Sequence, residues 1–251
     1  MPSKPVPPLV IAHRGASAYR PENTRPAYAL ALEQRADMIE VDLHLSRDGA
    51  IVIAHDAQLG RLGAEGVIGD RSLAELRALD ASAGKAEATQ IPTLDEVLDE
   101  FGAKIPFNLE FKRGSDGPYP GLPAATLEAV ERRGLLDRTL FSCFDDAILE
   151  ELRGLSPRAR LAVLVDPRQP EPRNILARAR RVRAEAVNPH FLLASEELIR
   201  EAHAEGCAVY AYTVDEIEVM ETLLAREIDG LFTNRPDRMR GVVEGSAADS
   251  R

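Results

Sequence analysis

The chain has 251 residues, 45% of them hydrophobic and 29% charged. That is enough apolar material for a large core and excludes a wholly disordered chain. Its 41 acidic residues outnumber 31 basic ones, a net charge of −10, which argues against non-specific binding to a nucleic acid backbone, because such binding needs a basic field. No run approaches the roughly 18 consecutive apolar residues of a membrane helix. The opening Met1-Pro-Ser-Lys-Pro-Val-Pro-Pro has no apolar h-region, so it reads not as a signal peptide but as an extended lead-in over residues 1–8. Cys143 and Cys207 sit in separate apolar runs without CxxC spacing, the pattern of buried thiols in a reducing cytoplasm.

Short β-rich runs alternate with stretches of helical period. In chain order the pattern predicts strand Leu9–His13, helix Thr24–Arg35, strand Met38–Leu43, a side strand Ile51–Ala54, and helices Leu73–Leu79 and Leu94–Phe101. Next come strand Ile105–Phe111, helix Ala124–Arg133, strand Thr139–Ser142, helix Asp145–Gly154, strand Arg160–Val165 and helix Asn174–Arg183. The series ends with strand Ala186–Asn188, helix Ser195–Glu205, strand Ala208–Thr213, helix Asp215–Ala225, strand Gly230–Thr233 and helix Pro236–Val243. Thr93, Asp145, Ser195 and Asp215 stand where N-caps belong, and Gly102, Gly134 and Gly206 stand where helices should stop. Ser195 lacks a full capping box because Leu198 occupies the Glu/Gln position, although Glu196 and Glu197 suit the positive end of the helix dipole.

Alternating strands and helices imply βα units and a parallel sheet. With Ile51–Ala54 set aside, the eight remaining strands in about 250 residues point to a (β/α)8 TIM barrel. A doubly wound sheet would usually carry a glycine-rich turn after its first strand, and His13-Arg14-Gly15-Ala16-Ser17 is not GxGxxG. The glycine- and alanine-rich stretch Asp56–Ile91 breaks the rhythm and reads as a small insertion after strand 2, over the barrel mouth. A single catalytic domain over residues 9–243 and a frayed tail over residues 244–251 complete the expected organisation. Nothing in the pattern specifies an oligomer.

Polar residues gather at strand ends, where a barrel places its active site. His13-Arg14-Gly15 closes the first strand. Glu40 and Asp42 are two apart on the second and therefore share a face. Two such carboxylates about 5 Å apart repel by roughly 3 kcal/mol at an effective dielectric of 20, a cost that a cation removes. Asn108, Glu110 and Lys112 share a face on the next strand by the same parity. His55 follows the apolar run Ile51–Ala54. Pro21-Glu22-Asn23-Thr24 opens the first helix, where Asn23 or Thr24 is also a natural cap.

Three carboxylates without a soft ligand suit one hard divalent ion, Ca2+, Mg2+ or Mn2+, better than zinc. Two histidines beside it suit paired general acid and base, and Arg14 and Lys112 suit an anionic oxygen. Three carboxylates, a divalent ion and two side-chain cations leave a small positive excess that a singly charged phosphodiester neutralises. His44 reads as a bystander, His190 as a candidate pocket residue and His203 as a surface residue. The basic run Arg178–Arg183 reads as a solvated helix face.

The set His13-Arg14-Gly15, Glu22-Asn23-Thr24, Glu40-Val-Asp42, His55-Asp56 and Glu110 with Lys112 resembles the glycerophosphodiester phosphodiesterase family. The resemblance continues through Ile91-Pro-Thr-Leu-Asp-Glu-Val-Leu, Asn188-Pro-His, Val209-Tyr-Ala-Tyr-Thr-Val-Asp and Asp229-Gly-Leu-Phe-Thr-Asn-Arg-Pro-Asp, from about Ile11 to Asp237. It implies a TIM barrel with an insertion after strand 2. The implied reaction is hydrolysis of glycerophosphocholine, glycerophosphoethanolamine and similar small molecules to sn-glycerol 3-phosphate and an alcohol. By the same resemblance Glu40, Asp42 and Glu110 are metal ligands, His13 and His55 are the acid and base, Arg14 and Lys112 contact phosphate, and Glu22 lies near the metal or its waters. Tyr212 stands where the family often has Trp, and Asn234 where many relatives have Asp. A lysophospholipase D-like relative would need an apolar groove or docking helix, for which Leu59–Ile68 offers a little apolar surface. A non-catalytic metal- or phosphate-binding relative should have lost a histidine or carboxylate, and all five are present.

Overall fold

The structure is a computed structural model that describes residues 7–84, 88–168 and 174–249, so all but the last two prolines of the expected lead-in lie outside the described residues. The elements are β1 (Leu9–His13), α1 (Arg25–Glu33), β2 (Met38–Leu45), β3 (Ile51–Ile53), α2 (Leu73–Arg77), α3 (Leu94–Phe101), β4 (Phe107–Phe111), β5 (Arg113–Gly114), β6 (Gly117–Pro118) and α4 (Leu122–Glu131). They continue with β7 (Thr139–Cys143), α5 (Asp146–Leu155), β8 (Arg160–Val165), α6 (Ile175–Val182), β9 (Ala186–Pro189), α7 (Glu196–Ala204), β10 (Ala208–Ala211), α8 (Ile217–Ala225), β11 (Gly230–Thr233) and α9 (Pro236–Asp249). Eight strands pair in parallel in the order β1-β2-β4-β7-β8-β9-β10-β11, and β11 closes on β1. β3 runs antiparallel beside β2, with Leu43 opposite Ile53. The fold is therefore the expected (β/α)8 barrel with β3 outside it.

Closure sorts each strand by parity. Ile11, Met38, Leu140, Ala162, Ala186, Tyr210 and Phe232 pack together inside the barrel. The alternate residues, among them Val10, Ile39, Leu109, Phe141 and Val163, join the helices in the outer core. This is the filled interior of a TIM barrel. One step nearer the strand ends the same parity turns polar. The register sets His13 beside Glu40, Glu40 beside Asn108, Asp42 beside Glu110, and Glu110 beside Ser142.

Local chemistry explains most element ends. Thr93 and Glu96 form a capping box on α3, as do Ser72 and Glu75 on α2. Asp145 caps α5, and Ser195 Oγ accepts Leu198 N–H at 3.1 Å on α7. Asp215, expected to cap α8, does not; it bonds to the loop after β11, described below. Gly102 follows α3 with a right-handed φ of −57°, and a Cβ there would lie 2.5 Å from both the Leu98 carbonyl oxygen and Leu135 Cδ1. α4 begins before its expected start, since Pro123 is tolerated in a first helical turn. β4 begins after Pro106, which has no N–H for the ladder. α9 is longer than expected and carries helix through Asp249, so the tail expected to fray from residue 244 starts helical; Glu244 pairs with Arg35 at 2.6 Å.

The insertion holds two 3-10 turns, Leu59–Leu62 and Ile68–Asp70, besides α2. It has its own small core of Val52, Leu59, Ile68, Leu76 and Ile91. Leu59 and Ile68 are therefore buried, and the apolar surface expected over Leu59–Ile68 is not offered by these side chains. No helix of the described residues is long and apolar enough to cross a membrane.

At the opposite end of the barrel, residues preceding three strands each tie down a neighbouring strand. Asp37 accepts Val10 N–H at 2.8 Å, Glu185 accepts Leu161 N–H at 2.6 Å and Asp229 accepts Val209 N–H at 2.7 Å. Hydrogen bonds to charged groups contribute about 1.5–3 kcal/mol. Asp37→Ala should therefore lower the urea unfolding free energy by about that amount; a loss below about 0.5 kcal/mol would show that solvent satisfies Val10 equally well.

Candidate active site

The site lies where the strands end. The turn after β1 packs against α1 so closely that a Cβ on Gly15 would meet the Ala27 backbone at 2.7 Å, and Gly15 takes a φ of +81°. That turn delivers His13 and Arg14 to the mouth. β2 delivers Glu40 and Asp42, β4 delivers Glu110 with Lys112 just beyond it, and the residue pair after β3 delivers His55 and Asp56.

The three carboxylates come together as the strand parity predicts. Glu40, Asp42 and Glu110 are all buried and each offers an oxygen within 4.8 Å of the others. Their surroundings differ. Asp42 Oδ1 lies 2.9 Å from Lys112 Nζ, and Asp42 Oδ2 lies 3.1 Å from Arg14 Nε and accepts Asn23 Nδ2–H at 2.7 Å. Burial opposes its charge, but Lys112 and Arg14 outweigh it and hold Asp42 well below the usual carboxylate range. Glu110 pairs with Lys112, yet burial keeps its pKa above the ordinary value. Among the described residues Glu40 accepts the Arg14 backbone N–H, at 2.9 Å on Oε2, and its buried Oε1 has no hydrogen-bond partner. Burial and the Asp42 charge push Glu40 well above the carboxylate range.

The unpartnered Glu40 oxygen beside two more carboxylates is the donor set of a hard divalent ion. The residues present therefore fit the ion that the sequence implies. Glu22 is not in this cluster. It bridges two guanidinium groups, Arg14 Nη1 on Oε2 and Arg61 Nη2 on Oε1, both at 3.1 Å.

The two histidines flank the carboxylates with one ring nitrogen occupied in each. His13 Nδ1 donates to Asn234 Oδ1 at 2.8 Å. That amide is oriented by Asp215, whose carboxylate accepts Asn234 Nδ2–H at 2.6 Å, Asn234 N–H at 2.8 Å and the Thr233 hydroxyl at 3.0 Å. Burial, then Arg14, lowers the His13 pKa to about 3. His55 Nδ1 lies 2.7 Å from Asp56 Oδ1, and burial lowers its pKa against the opposing charges of Asp42 and Asp56. A cavity of about 300 Å³ opens beside His55, lined among others by Glu22, Asp56, Arg61, Ile53 and Leu62.

The roles of four residues at the site escaped the sequence reading. Asn23 does not cap α1; it orients Asp42, and Tyr28 donates to its Oδ1 at 3.3 Å. Asn234 and Asp215 form the support of His13. His44, expected to be a bystander, is buried, with Nδ1 2.9 Å from the Tyr119 hydroxyl and Nε2 3.2 Å from the His55 carbonyl oxygen, so it braces the His55 backbone. His190 stacks on Phe191 and meets Tyr212 edge-on at the mouth. His203 pairs with Asp229 at 2.8 Å, away from the site. Arg178 pairs with Asp146 at 2.8 Å and is only 16% exposed, so it is not part of a freely solvated face. Both cysteines are free and buried.

The Glycerophosphoryl diester phosphodiesterase family matches residues 13–238. A glycerophosphodiester phosphodiesterase of Caldanaerobacter subterraneus subsp. tengcongensis is 32% identical over 94% of this chain and 97% of its own length. One of Bacillus subtilis is 30% identical over 94% of this chain and 87% of its own. Among solved structures, an Oleispira antarctica phosphodiesterase in complex with the product sn-glycerol-3-phosphate superimposes with a TM-score of 0.83 at 30% identity, covering 94% of this chain and 97% of that one. A Thermotoga maritima glycerophosphodiester phosphodiesterase superimposes with a TM-score of 0.76 at 27% identity, covering 91% and 96%. The chain is a phosphodiesterase and belongs to the glycerophosphoryl diester phosphodiesterase family.

Proposed function

We propose that this mouth hydrolyses glycerophosphodiesters such as glycerophosphocholine and glycerophosphoethanolamine to sn-glycerol 3-phosphate and an alcohol. In this reading one divalent ion, Ca2+, Mg2+ or Mn2+, is held by Glu40, Asp42 and Glu110, and His13 and His55 are the acid–base pair. The observation that carries it is the buried, unpartnered Glu40 oxygen beside Asp42 and Glu110. The ion supplies charge neutralisation and polarisation of a phosphate oxygen when bound. The sn-glycerol-3-phosphate in the Oleispira antarctica structure supports the glycerol side of the substrate.

The chain's own groups divide the remaining work. Arg14 and Lys112 meet the phosphate oxygens with charge-assisted hydrogen bonds. His13, neutral with Nδ1–H fixed by Asn234, has its Nε2 lone pair free to accept a proton, as a general base requires. At His55 the Asp56 carboxylate on Nδ1 opposes the burial that lowers the ring's pKa, and this ring takes the acid role. The glycerol 2-hydroxyl is placed to attack its own phosphorus, and such an intramolecular nucleophile gains up to about 7–11 kcal/mol from orientation. His13 takes the 2-hydroxyl proton, the new oxygen–phosphorus bond forms, the bond to the head-group oxygen breaks, and His55 protonates the departing alcohol. Water then opens the cyclic glycerol phosphate with the histidine roles reversed.

Exhaustive chelation should abolish turnover of glycerophosphocholine, and added Ca2+, Mg2+ or Mn2+ should restore it; full activity after chelation contradicts the metal assignment. His13→Ala and His55→Ala should each lose about 10²–10⁴-fold in kcat with the fold retained. With a p-nitrophenol leaving group, which needs no protonation, the His55→Ala loss should shrink while that of His13→Ala persists; the opposite pattern exchanges the two roles. A 2-deoxy analogue of glycerophosphocholine should bind without turning over, and its normal hydrolysis would replace the cyclic route with direct attack by water.

A further inference from the structure

We infer that Arg61, carried on the insertion, is a positioning residue for His55, an inference that rests on the acid–base reading of that histidine. Arg61 lies in the 3-10 turn Leu59–Leu62, and its guanidinium reaches across the mouth to three groups from two other segments. Nη2 lies 3.1 Å from Glu22 Oε1, and Nη1 lies 3.4 Å from both Asp56 Oδ2 and His55 Nδ1.

The contacts on His55 Nδ1 decide which role Arg61 plays. A carboxylate oxygen at 2.7 Å from a ring nitrogen attracts it only when that nitrogen carries a proton, so Asp56 Oδ1 fixes the Nδ1–H tautomer. A protonated Nδ1 has no lone pair for Arg61, so the guanidinium acts on the carboxylates instead. Asp56 is thus shared, with one oxygen on His55 and the other facing Arg61. Glu22 anchors the far side of the guanidinium and is itself held by Arg14, which contacts Asp42. The chain of contacts runs from the carboxylate cluster through Arg14, Glu22, Arg61 and Asp56 to the His55 ring. A planar fork can span two carboxylates in this way, whereas a lysine ammonium is a single point charge.

This arrangement is not needed to hold the insertion in place. The insertion has its own buried core, and Leu73 N–H donates to Asp48 Oδ1 at 2.9 Å. The Arg61 side chain is 51% exposed, and ion pairs so exposed contribute little to stability. The outcome expected of its removal is therefore kinetic.

The test is a double-mutant cycle on the full chain with the divalent ion that supports turnover, using glycerophosphocholine. Arg61→Gln should keep the wild-type melting temperature and KM while kcat falls between about tenfold and about a hundredfold, the range of a misplaced catalytic group. Arg61→Lys should recover only part of that loss. In a His55→Ala background Arg61→Gln should change kcat less than about twofold, because its effect passes through His55. A raised KM at unchanged kcat would make Arg61 a substrate contact, and full additivity with His55→Ala would show that it acts elsewhere; either overturns the inference while leaving the acid–base reading intact. A His55→Ala variant with normal kcat overturns both. Independently of any variant, nitrogen-15 NMR of the wild-type histidines should show His55 as the Nδ1–H tautomer, and an Nε2–H tautomer overturns the inference.

Discussion

The structure depends on one electrostatic tension, three carboxylates buried within 4.8 Å of one another. Unit charges at that separation repel by roughly 3–4 kcal/mol per pair at an effective dielectric of 20. Barrel closure produces the crowding, because the register of β1, β2 and β4 aligns inward positions that would otherwise carry Val or Leu. Two cations relieve it unequally. Lys112 contacts Asp42 and Glu110, and Arg14 contacts Asp42 by its side chain and Glu40 by its backbone N–H, so the charges of both cations act on Glu40 without a direct ion pair. Burial first, and then the charges of Asp42 and Glu110, displace the Glu40 pKa upward. In the proposed reading a divalent ion held by the three carboxylates would offset their repulsion, so the folded chain and the reaction would call for the same ion at the same place.

The histidines show a second constraint, met twice by different means. An acid–base imidazole must offer Nε2 in a defined protonation state, so something must occupy Nδ1. For His13 it is the Asn234 amide, held by Asp215; for His55 it is the Asp56 carboxylate. Burial lowers the pKa of both rings, and at His55 the charges of Asp42 and Asp56 oppose it. In the proposed reading, two histidines with different Nδ1 partners divide one proton-transfer cycle.

The barrel was legible because strand parity is a strictly local rule. Met38, Glu40 and Asp42 alternate with Ile39, Val41 and Leu43, and that pattern alone put two carboxylates inside. Asn23, Asp215 and Asn234 were not legible, because each imitates a local signal. Asn23 stands where a helix cap belongs, and Asp215 does too, yet their partners are Asp42, 19 residues on, and Asn234. Asn234 bonds to a histidine 221 positions away in sequence, which only closure of β11 onto β1 brings near. The glycine- and alanine-rich composition of Asp56–Ile91 marks an insertion with one helix but hides its packing; Leu59, Ile68 and Leu76 nevertheless suffice for a small core. The end of α9 was read as frayed from its small and polar residues, but Arg35 and Glu244 pair across 209 positions, a contact no local pattern contains.

The central claim is that the Glu40–Asp42–Glu110 cluster is a site for one divalent ion. Isothermal titration calorimetry of the purified chain, without substrate, tests it most directly. The account predicts one Ca2+, Mg2+ or Mn2+ bound per chain, and loss of that binding in Glu40→Gln, which removes the unpartnered oxygen's charge with little change of shape. Absence of binding by the wild-type chain, or undiminished binding by Glu40→Gln, would contradict it.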